Sequence, residues 1–321
     1  MKKLPASALL ELDQAKQRFI RARFGRSGTT WIQAFPELIQ ACMAQWDLTL
    51  IGRAETGLEV NTVFFAERGA QQCVLKVGLP QPEQLTEIEA LRLFSSNRVV
   101  PVLDWDEPKR ALLMERVRPG LTLRGLLANP ALDCDLVHHA APLLTSIQVP
   151  ADKNDHLPTY QDWLKGAFDV ATFEQTPRLA AHVELANKFN RVLTKKWRDV
   201  SVLHGDLHHE NILQDSALGW VAIDPKGVIG PRIYDCGRFI HNFLPYSGQD
   251  GAGPETVVSD SDLVFKRCQR LSELSRYPVE DLIAVGFIDL ALATCWSFAD
   301  GEPVTYRSLD AFAYWLENHF D

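Results

Sequence analysis

Four residues carry the chemistry that can be read most directly from this chain: Lys76, Asp206, Asn211 and Asp224. Asp206 and Asn211 lie in Leu203-His204-Gly205-Asp206-Leu207-His208-His209-Glu210-Asn211-Ile212-Leu213, a polar, histidine-rich loop flanked by apolar residues. Buried anchors on both sides would hold such a loop rigidly. Further along, Val221-Ala222-Ile223-Asp224-Pro225 reads as a strand ending in a carboxylate. Phosphoryl transfer needs a base near the attacking hydroxyl, and a carboxylate and an amide oxygen on magnesium. It also needs a lysine on the nucleotide phosphates. Asp206, Asn211 and Asp224 have the types and order for the first two requirements. Lys76, within the strand-like run Cys73-Val74-Leu75-Lys76-Val77, would project the third from one strand face.

Blander roles compete for the same residues. Asp206 could be a turn residue capping a helix, and Lys76 an exposed strand lysine. Asn211 and Asp224 at their spacing argue against both. A buried carboxylate ending an apolar strand is costly unless a cation meets it, which favours a metal role for Asp224. His204, His208 and His209 invite a metal-hydrolase reading, but adjacent histidines on one loop point apart, and no second His/Asp/Glu cluster supplies further ligands. His204 fits better as a hydrogen-bonder that fixes the loop. Trp296 and the aromatic-rich end read as core.

The elements that must position these residues fall into three stretches. Residues 1–47 predict helices over Ala6–Phe24 and Trp31–Trp46, the second with a stripe of Phe35, Leu38, Ile39, Cys42 and Met43. Residues 48–118 predict a β-rich lobe, with strands at 48–52, 60–67, 72–77, 99–103 and 111–117 and one helix over 82–94. After Pro119-Gly120 the chain reads as mainly helical to its end. Helices are predicted over 121–128, 135–147, 159–173, 178–197, 261–275, 279–299 and 305–318, with strands only at 200–203 and 219–223. A β-rich lobe with one helix, followed by a helical lobe holding a short strand pair, predicts a two-lobed α+β protein.

His204-Gly205-Asp206 with Asn211, then Ile223-Asp224-Pro225-Lys226-Gly227, resembles the aminoglycoside phosphotransferase family. The likeness is to the branch of streptomycin 6-kinases and hydroxyurea phosphotransferases. Ala111-Leu112-Leu113-Met114-Glu115-Arg116 with Pro119-Gly120, Trp296-Ser297-Phe298-Ala299-Asp300-Gly301, and the helical lead-in from Arg23-Phe24-Gly25 to Trp46 extend it over nearly the whole chain. The resemblance implies a protein-kinase-like fold with ATP and Mg²⁺ between two lobes. It makes Asp206 the catalytic base, Asn211 and Asp224 magnesium ligands, and Lys76 the contact to the α- and β-phosphates. Lys76 would pair with a helix glutamate. Glu87 is preferred because Leu91 and Phe94 follow it at helical spacing, with Glu89 the alternative. Thr56-Gly57-Leu58-Glu59 would cover the phosphates, and the backbone from Glu115 to Val117 would meet the adenine edge. One departure stands out. Where the branch continues after the metal-binding Asp with Gly-Asp and ends near Tyr-Asp-Leu, this chain has Ile229-Gly230-Pro231-Arg232-Ile233-Tyr234-Asp235-Cys236. Pro231 replaces the first acidic residue, fixes φ and removes an N–H. That weakens the streptomycin assignment while leaving the nucleotide chemistry intact.

Composition bounds the remaining choices. The 321 residues are 46% hydrophobic, enough for two packed lobes, and the net charge of −8 argues against a nucleic-acid partner. That charge is compatible with a cationic small-molecule hydroxyl acceptor. The six cysteines show no CxxC spacing and fit reduced thiols in a cytosol. The N-terminus lacks the unbroken apolar core of a signal peptide. The long apolar run Leu282–Phe298 contains Asp289 and reads as a buried helix rather than a membrane span, so a cytoplasmic location is expected. The expected function is ATP-dependent phosphorylation of an aminoglycoside hydroxyl, as in streptomycin inactivation. A metabolic kinase of a sugar-like or amino-alcohol substrate would use the same machinery. A nucleotide-binding regulatory protein is disfavoured because base, metal ligands and lysine are all present, and a protein kinase because little chain follows Asp224 before helical texture resumes.

Overall fold

The computed structural model describes residues 9–54, 61–79, 81–94, 98–128, 133–152, 156–169, 176–242 and 254–319. The chain divides into two compact units, one of Met1–Arg92 with Val100–Arg118 and one of Leu93–Val99 with Pro119–Asp321.

The first unit opens with α1 (Gln14–Trp46), whose N-terminus is capped by the Asp13 carboxylate accepting from the Lys16 N–H at 2.8 Å. The two helices predicted for this stretch meet end to end here. Helical backbone continues through residues 26–30, and the break is confined to Gly25, at φ 54° and ψ −124°. Gly, Ser and Thr in that stretch lower helix propensity, so periodicity alone leaves a gap that tertiary packing closes. Ile20, Trp31, Phe35, Ile39, Cys42 and Trp46 lie on the buried side of α1. They share one apolar core with Phe64, Ala66, Cys73 and Leu75 of the adjacent sheet.

That sheet is antiparallel, in the order β1-β2-β3-β5-β4, with β1 Thr49–Arg53, β2 Thr62–Arg68, β3 Gln71–Val77, β4 Val102–Asp106 and β5 Ala111–Glu115. On the central strand β3, the period of two puts Cys73, Leu75 and Val77 in the core shared with α1, so Lys76 points to the other face. Helix α2 (Pro82–Leu93) buries Gln84, Glu87, Ile88 and Leu91. The strand predicted over 99–103 begins instead at Val102, and Val99 makes only an isolated bridge to Ala222 within the second unit.

The second unit contains β6 (Pro119–Thr122), a 3₁₀ turn (Leu123–Ala128), α3 (Asp133–Ser146), β7 (Val149–Pro150), α4 (Tyr160–Phe168) and α5 (Pro177–Lys196). Four strands follow: β8 (Ser201–Leu203), β9 (Ile212–Asp215), β10 (Gly219–Ala222) and β11 (Val228–Gly230). A 3₁₀ turn (Arg232–Tyr234) leads into α6 (Asp235–His241), and α7 (Pro254–Ser275), α8 (Val279–Ala299) and α9 (Arg307–His319) complete it. Two small sheets form, β10-β9-β6 and β11-β8-β7. Strands β6, β7, β9 and β11 and helix α6 were not anticipated. They span two to seven residues each, too short for a period to show. The helix predicted over 121–128 begins as strand β6, because Leu121 and Thr122 lie along β9 before the chain turns into the 3₁₀ segment.

Helix α8 is long and apolar enough to cross a membrane, yet most of its apolar stretch is buried inside the unit. It packs against α4, α5, α6, α7 and α9. Its two buried acids are both paired: Asp281 Oδ2 with Trp197 Nε1 at 2.9 Å and Lys196 Nζ at 2.7 Å, Asp289 with Tyr160 and His241. A core helix explains the hydropathy.

Candidate active site

Strand β8 ends at Leu203, and the loop it launches is fixed from below. Leu203, Leu207 and Ile212 are fully buried, which pins three points of the loop. Gly205 adopts φ +76°, and a Cβ there would stand 2.8 Å from the Trp163 ring, so only glycine fits. His204 is fully buried. Its Nε2 lies 2.9 Å from the Ile223 carbonyl, and its Nδ1 accepts the Asp206 N–H at 3.3 Å, which sets the neutral tautomer with the proton on Nε2. Burial lowers its pKa to about 4, against the pull of Asp206. The His204 carbonyl accepts the N–H groups of Lys226 and Gly227 at 2.8 and 3.2 Å, tying the loop to the segment after Asp224. His204 is thus a loop-fixing hydrogen-bonder.

The turn also rests on Asp235, at the start of α6. Its carboxylate accepts the His204 N–H at 3.0 Å, the Gly205 N–H at 2.8 Å and Gln148 Nε2 at 2.7 Å. Burial pushes this carboxyl up to about 6 although all three donors pull it down.

Asp206 is half-buried beside two cations. Lys226 Nζ lies 3.3 Å from Oδ2 and Arg238 Nε 3.3 Å from Oδ1. Burial pushes the carboxyl up, but Lys226 and Arg238 outweigh it and hold it far below the usual carboxylate range. It is therefore ionised at neutral pH, as a proton acceptor must be. Asn211 donates from Nδ2 to the Asp206 carbonyl at 2.9 Å, which leaves Oδ1 as its remaining polar atom. The Ile223 N–H bonds to the Asn211 carbonyl at 2.9 Å and so draws the chain leading into Asp224 alongside Asn211. Asp224 itself has φ 60°, an uncommon left-handed conformation for a residue other than glycine. An amide oxygen and a carboxylate are hard oxygen donors of the kind Mg²⁺ accepts alongside phosphate and water. Among the described residues no group of three or more His, Cys, Asp or Glu gathers as a zinc site would require.

In the first unit Lys76 and Glu87 form a buried ion pair, with Lys76 Nζ 2.7 Å from Oε1 and 2.8 Å from Oε2. Glu87, not Glu89, is the glutamate that holds it. At the end of β5 the Glu115 N–H donates to the Pro101 carbonyl at 2.9 Å and the Arg116 N–H to the Gln72 carbonyl at 3.3 Å, so both donors serve the sheet. Val117 follows directly after them, beyond the end of the strand. Gly57 and its loop, 56–59, lie outside the described residues.

Sequence reasoning did not assign roles to Lys226, Arg238 or Gln148. Lys226, immediately after Asp224-Pro225, could have been found by its position in that motif. Arg238 could not, because its helix was too short to predict, and Gln148 lies far away in sequence.

Among solved structures the fold is similar to choline kinase LicA from Streptococcus pneumoniae, with a TM-score of 0.60 at 13% identity, covering 88% of this chain and 97% of that one. It is also similar to a thermostable mutant of aminoglycoside phosphotransferase APH(4)-Ia in ternary complex with ADP and hygromycin B, with a TM-score of 0.56 at 13% identity, covering 86% and 94%. These likenesses define the fold as protein-kinase-like α+β. More narrowly, the chain belongs to the aminoglycoside/hydroxyurea antibiotic resistance kinases, whose family profile matches residues 54–264. It is 28% identical over 244 residues to the streptomycin 6-kinase of Streptomyces glaucescens, across 72% of this chain and 75% of that protein. It is 27% identical over 217 residues to the hydroxyurea phosphotransferase of Kitasatospora aureofaciens, across 64% and 61%. The chain is accordingly a phosphotransferase with an alcohol group on a small molecule as acceptor.

Proposed function

We propose that this enzyme transfers the γ-phosphate of ATP to a hydroxyl of an aminoglycoside such as streptomycin, in the cytoplasm, with Asp206 as the base. The observation that carries this reading is the Asp206 carboxylate, paired with Lys226 and Arg238, on a loop fixed by His204, Asn211 and Asp235. In the proposed reaction the carboxylate accepts the acceptor's hydroxyl proton as that oxygen attacks the γ-phosphorus and ADP leaves. Lys76, held by Glu87, contacts the α- and β-phosphates. The Glu115–Val117 backbone would meet the adenine edge. Asn211 and Asp224 would hold Mg²⁺, which neutralises charge on the phosphates. The product gains about 1.5 to 2 negative charges, enough to spoil recognition of a cation by a target that reads its charge.

Incubation with ATP, Mg²⁺ and a panel of aminoglycosides, streptomycin and hydroxyurea should add one phosphoryl group to a panel member, read by mass spectrometry. A blank panel with slow ATP hydrolysis retained would shift the reading to a metabolic acceptor. Asp206→Asn should keep ATP affinity while turnover falls about 10²- to 10⁴-fold. Normal turnover by that variant would remove Asp206 from the role of base.

A further inference from the structure

We infer that Arg238 is a positioning residue for Asp206: its guanidinium, braced from behind by a buried carboxylate, sets the direction of the oxygen that would take the acceptor proton. The inference rests on the proposed role of Asp206 as base.

Among the described residues the Asp206 side chain has two charged neighbours within ion-pair distance, and they differ in rigidity. Lys226 reaches it with a flexible four-carbon stem and a third of its side chain exposed. The Arg238 side chain is 13% exposed, and its planar guanidinium lies 5.9 Å over the Trp296 ring. Behind it stands Asp289, 2% exposed, whose Oδ2 is 3.1 Å from the same Arg238 Nε that approaches Asp206. Asp289 is itself immobilised. Tyr160 donates its hydroxyl to Oδ1 at 2.8 Å, and His241 Nε2 meets Oδ2 at 2.6 Å. One N–H between two carboxylates cannot point in line at both, and Nε completes a hydrogen bond to neither. It acts on both through charge. The chain of restraint therefore runs from the α8 core through Asp289 and Arg238 to Asp206. The Asp206 backbone is fixed by its own loop, but the orientation of its carboxylate depends on these two cations.

A purely structural role predicts something different. If Arg238 only neutralised Asp289, its loss would lower stability and leave the Asp206 rotamer and the turnover of folded protein unchanged.

Crystal structures of Arg238→Gln and Arg238→Lys separate the two. Positioning requires the Asp206 carboxylate to turn or split between rotamers in Arg238→Gln, with His204 and Asn211 unmoved. An Asp206 side chain in its original rotamer overturns the inference. In solution, turnover with ATP, Mg²⁺ and streptomycin, or intrinsic ATP hydrolysis if streptomycin is refused, should fall about 10- to 100-fold in Arg238→Gln. KM for ATP should change less than twofold, and Arg238→Lys should recover part of the loss. Because Arg238 would act through Asp206, adding Arg238→Gln to Asp206→Asn should produce no further loss. Additive losses would sink the inference. If Asp206→Asn alone turned over normally, the base assignment would fail, while the rotamer result would still judge the Arg238–Asp206 geometry separately.

Discussion

His204 and Asp235 hold opposite sides of one turn, and burial makes them respond to pH in opposite senses. His204 is held neutral with its pKa near 4, below the ordinary 6.5. The unfolded chain therefore binds more protons between those values, and its contribution to stability, complete above pH 6.5, is lost as pH falls towards 4. Asp235 has its pKa raised to about 6 from 3.8. There the folded chain binds more protons, so stability is lost as pH rises from about 4 to about 6. Each effect amounts to about 3 kcal/mol at most, and in the parent protein they largely cancel. Chemical denaturation of His204→Gln and Asp235→Asn across pH 4–7 should expose them. Relative to the parent, His204→Gln should gain stability as pH falls and Asp235→Asn as pH rises. Parallel curves would refute the opposed burial. The residues on this turn were unequally legible in sequence. Asp206, Asn211 and Asp224 stand out because their types and spacing are set by local chain geometry. Arg238 and Gln148 reach the turn across long stretches of chain, and nothing in their own surroundings marks them.

Among the elements, α1 owes its continuity to a single residue. Gly25 sits at φ 54° and ψ −124°, a combination open essentially to glycine, although a Cβ there would meet nothing within 4 Å. The penalty for substitution is therefore backbone strain rather than collision. Gly25→Ala should destabilise the protein by about 1–3 kcal/mol, measured by thermal or denaturant unfolding; an unchanged midpoint would show that the helix ends realign freely. Periodicity located the long helices and four of the five strands of the first unit, whose alternation extends over several residues, and placed the remaining one, β4, three residues too early. It missed β6, β7, β9, β11 and α6, where pairing partners rather than local pattern define the element. Pro231, noted in sequence as a departure, takes φ −63° and precedes the turn into α6, while the Arg232 N–H bonds to Asp199 at 2.9 Å. A proline suits that position because its fixed φ matches the turn and the following residue provides the N–H.

Across the whole molecule, the thiols report how completely the chain is packed. Cys42, Cys73, Cys236, Cys268 and Cys295 are free and buried. Burial raises all five, Cys42 to about 11 and Cys295 to about 12. Alkylation at pH 8 followed by peptide mapping should leave these five unmodified in the native protein and label them together in guanidinium, because the thiolate is the reactive form. Rapid native labelling of any of them would mean that its part of the core opens locally. These cysteines belong to both compact units, so the experiment compares the two cores in one sample.

The order and spacing of Lys76, Asp206, Asn211 and Asp224, the β-rich then helical texture and the family likeness were all determined by the sequence alone. They depend on residue type and on short-range periodicity, which the chain displays without folding. Only the tertiary structure decided that Glu87 takes Lys76, that Asp235 receives the N–H groups of His204 and Gly205, and that Arg238 stands between Asp206 and Asp289. Those are electrostatic and hydrogen-bond contacts between segments far apart in the chain, and their geometry exists only once packing has excluded water and fixed each partner.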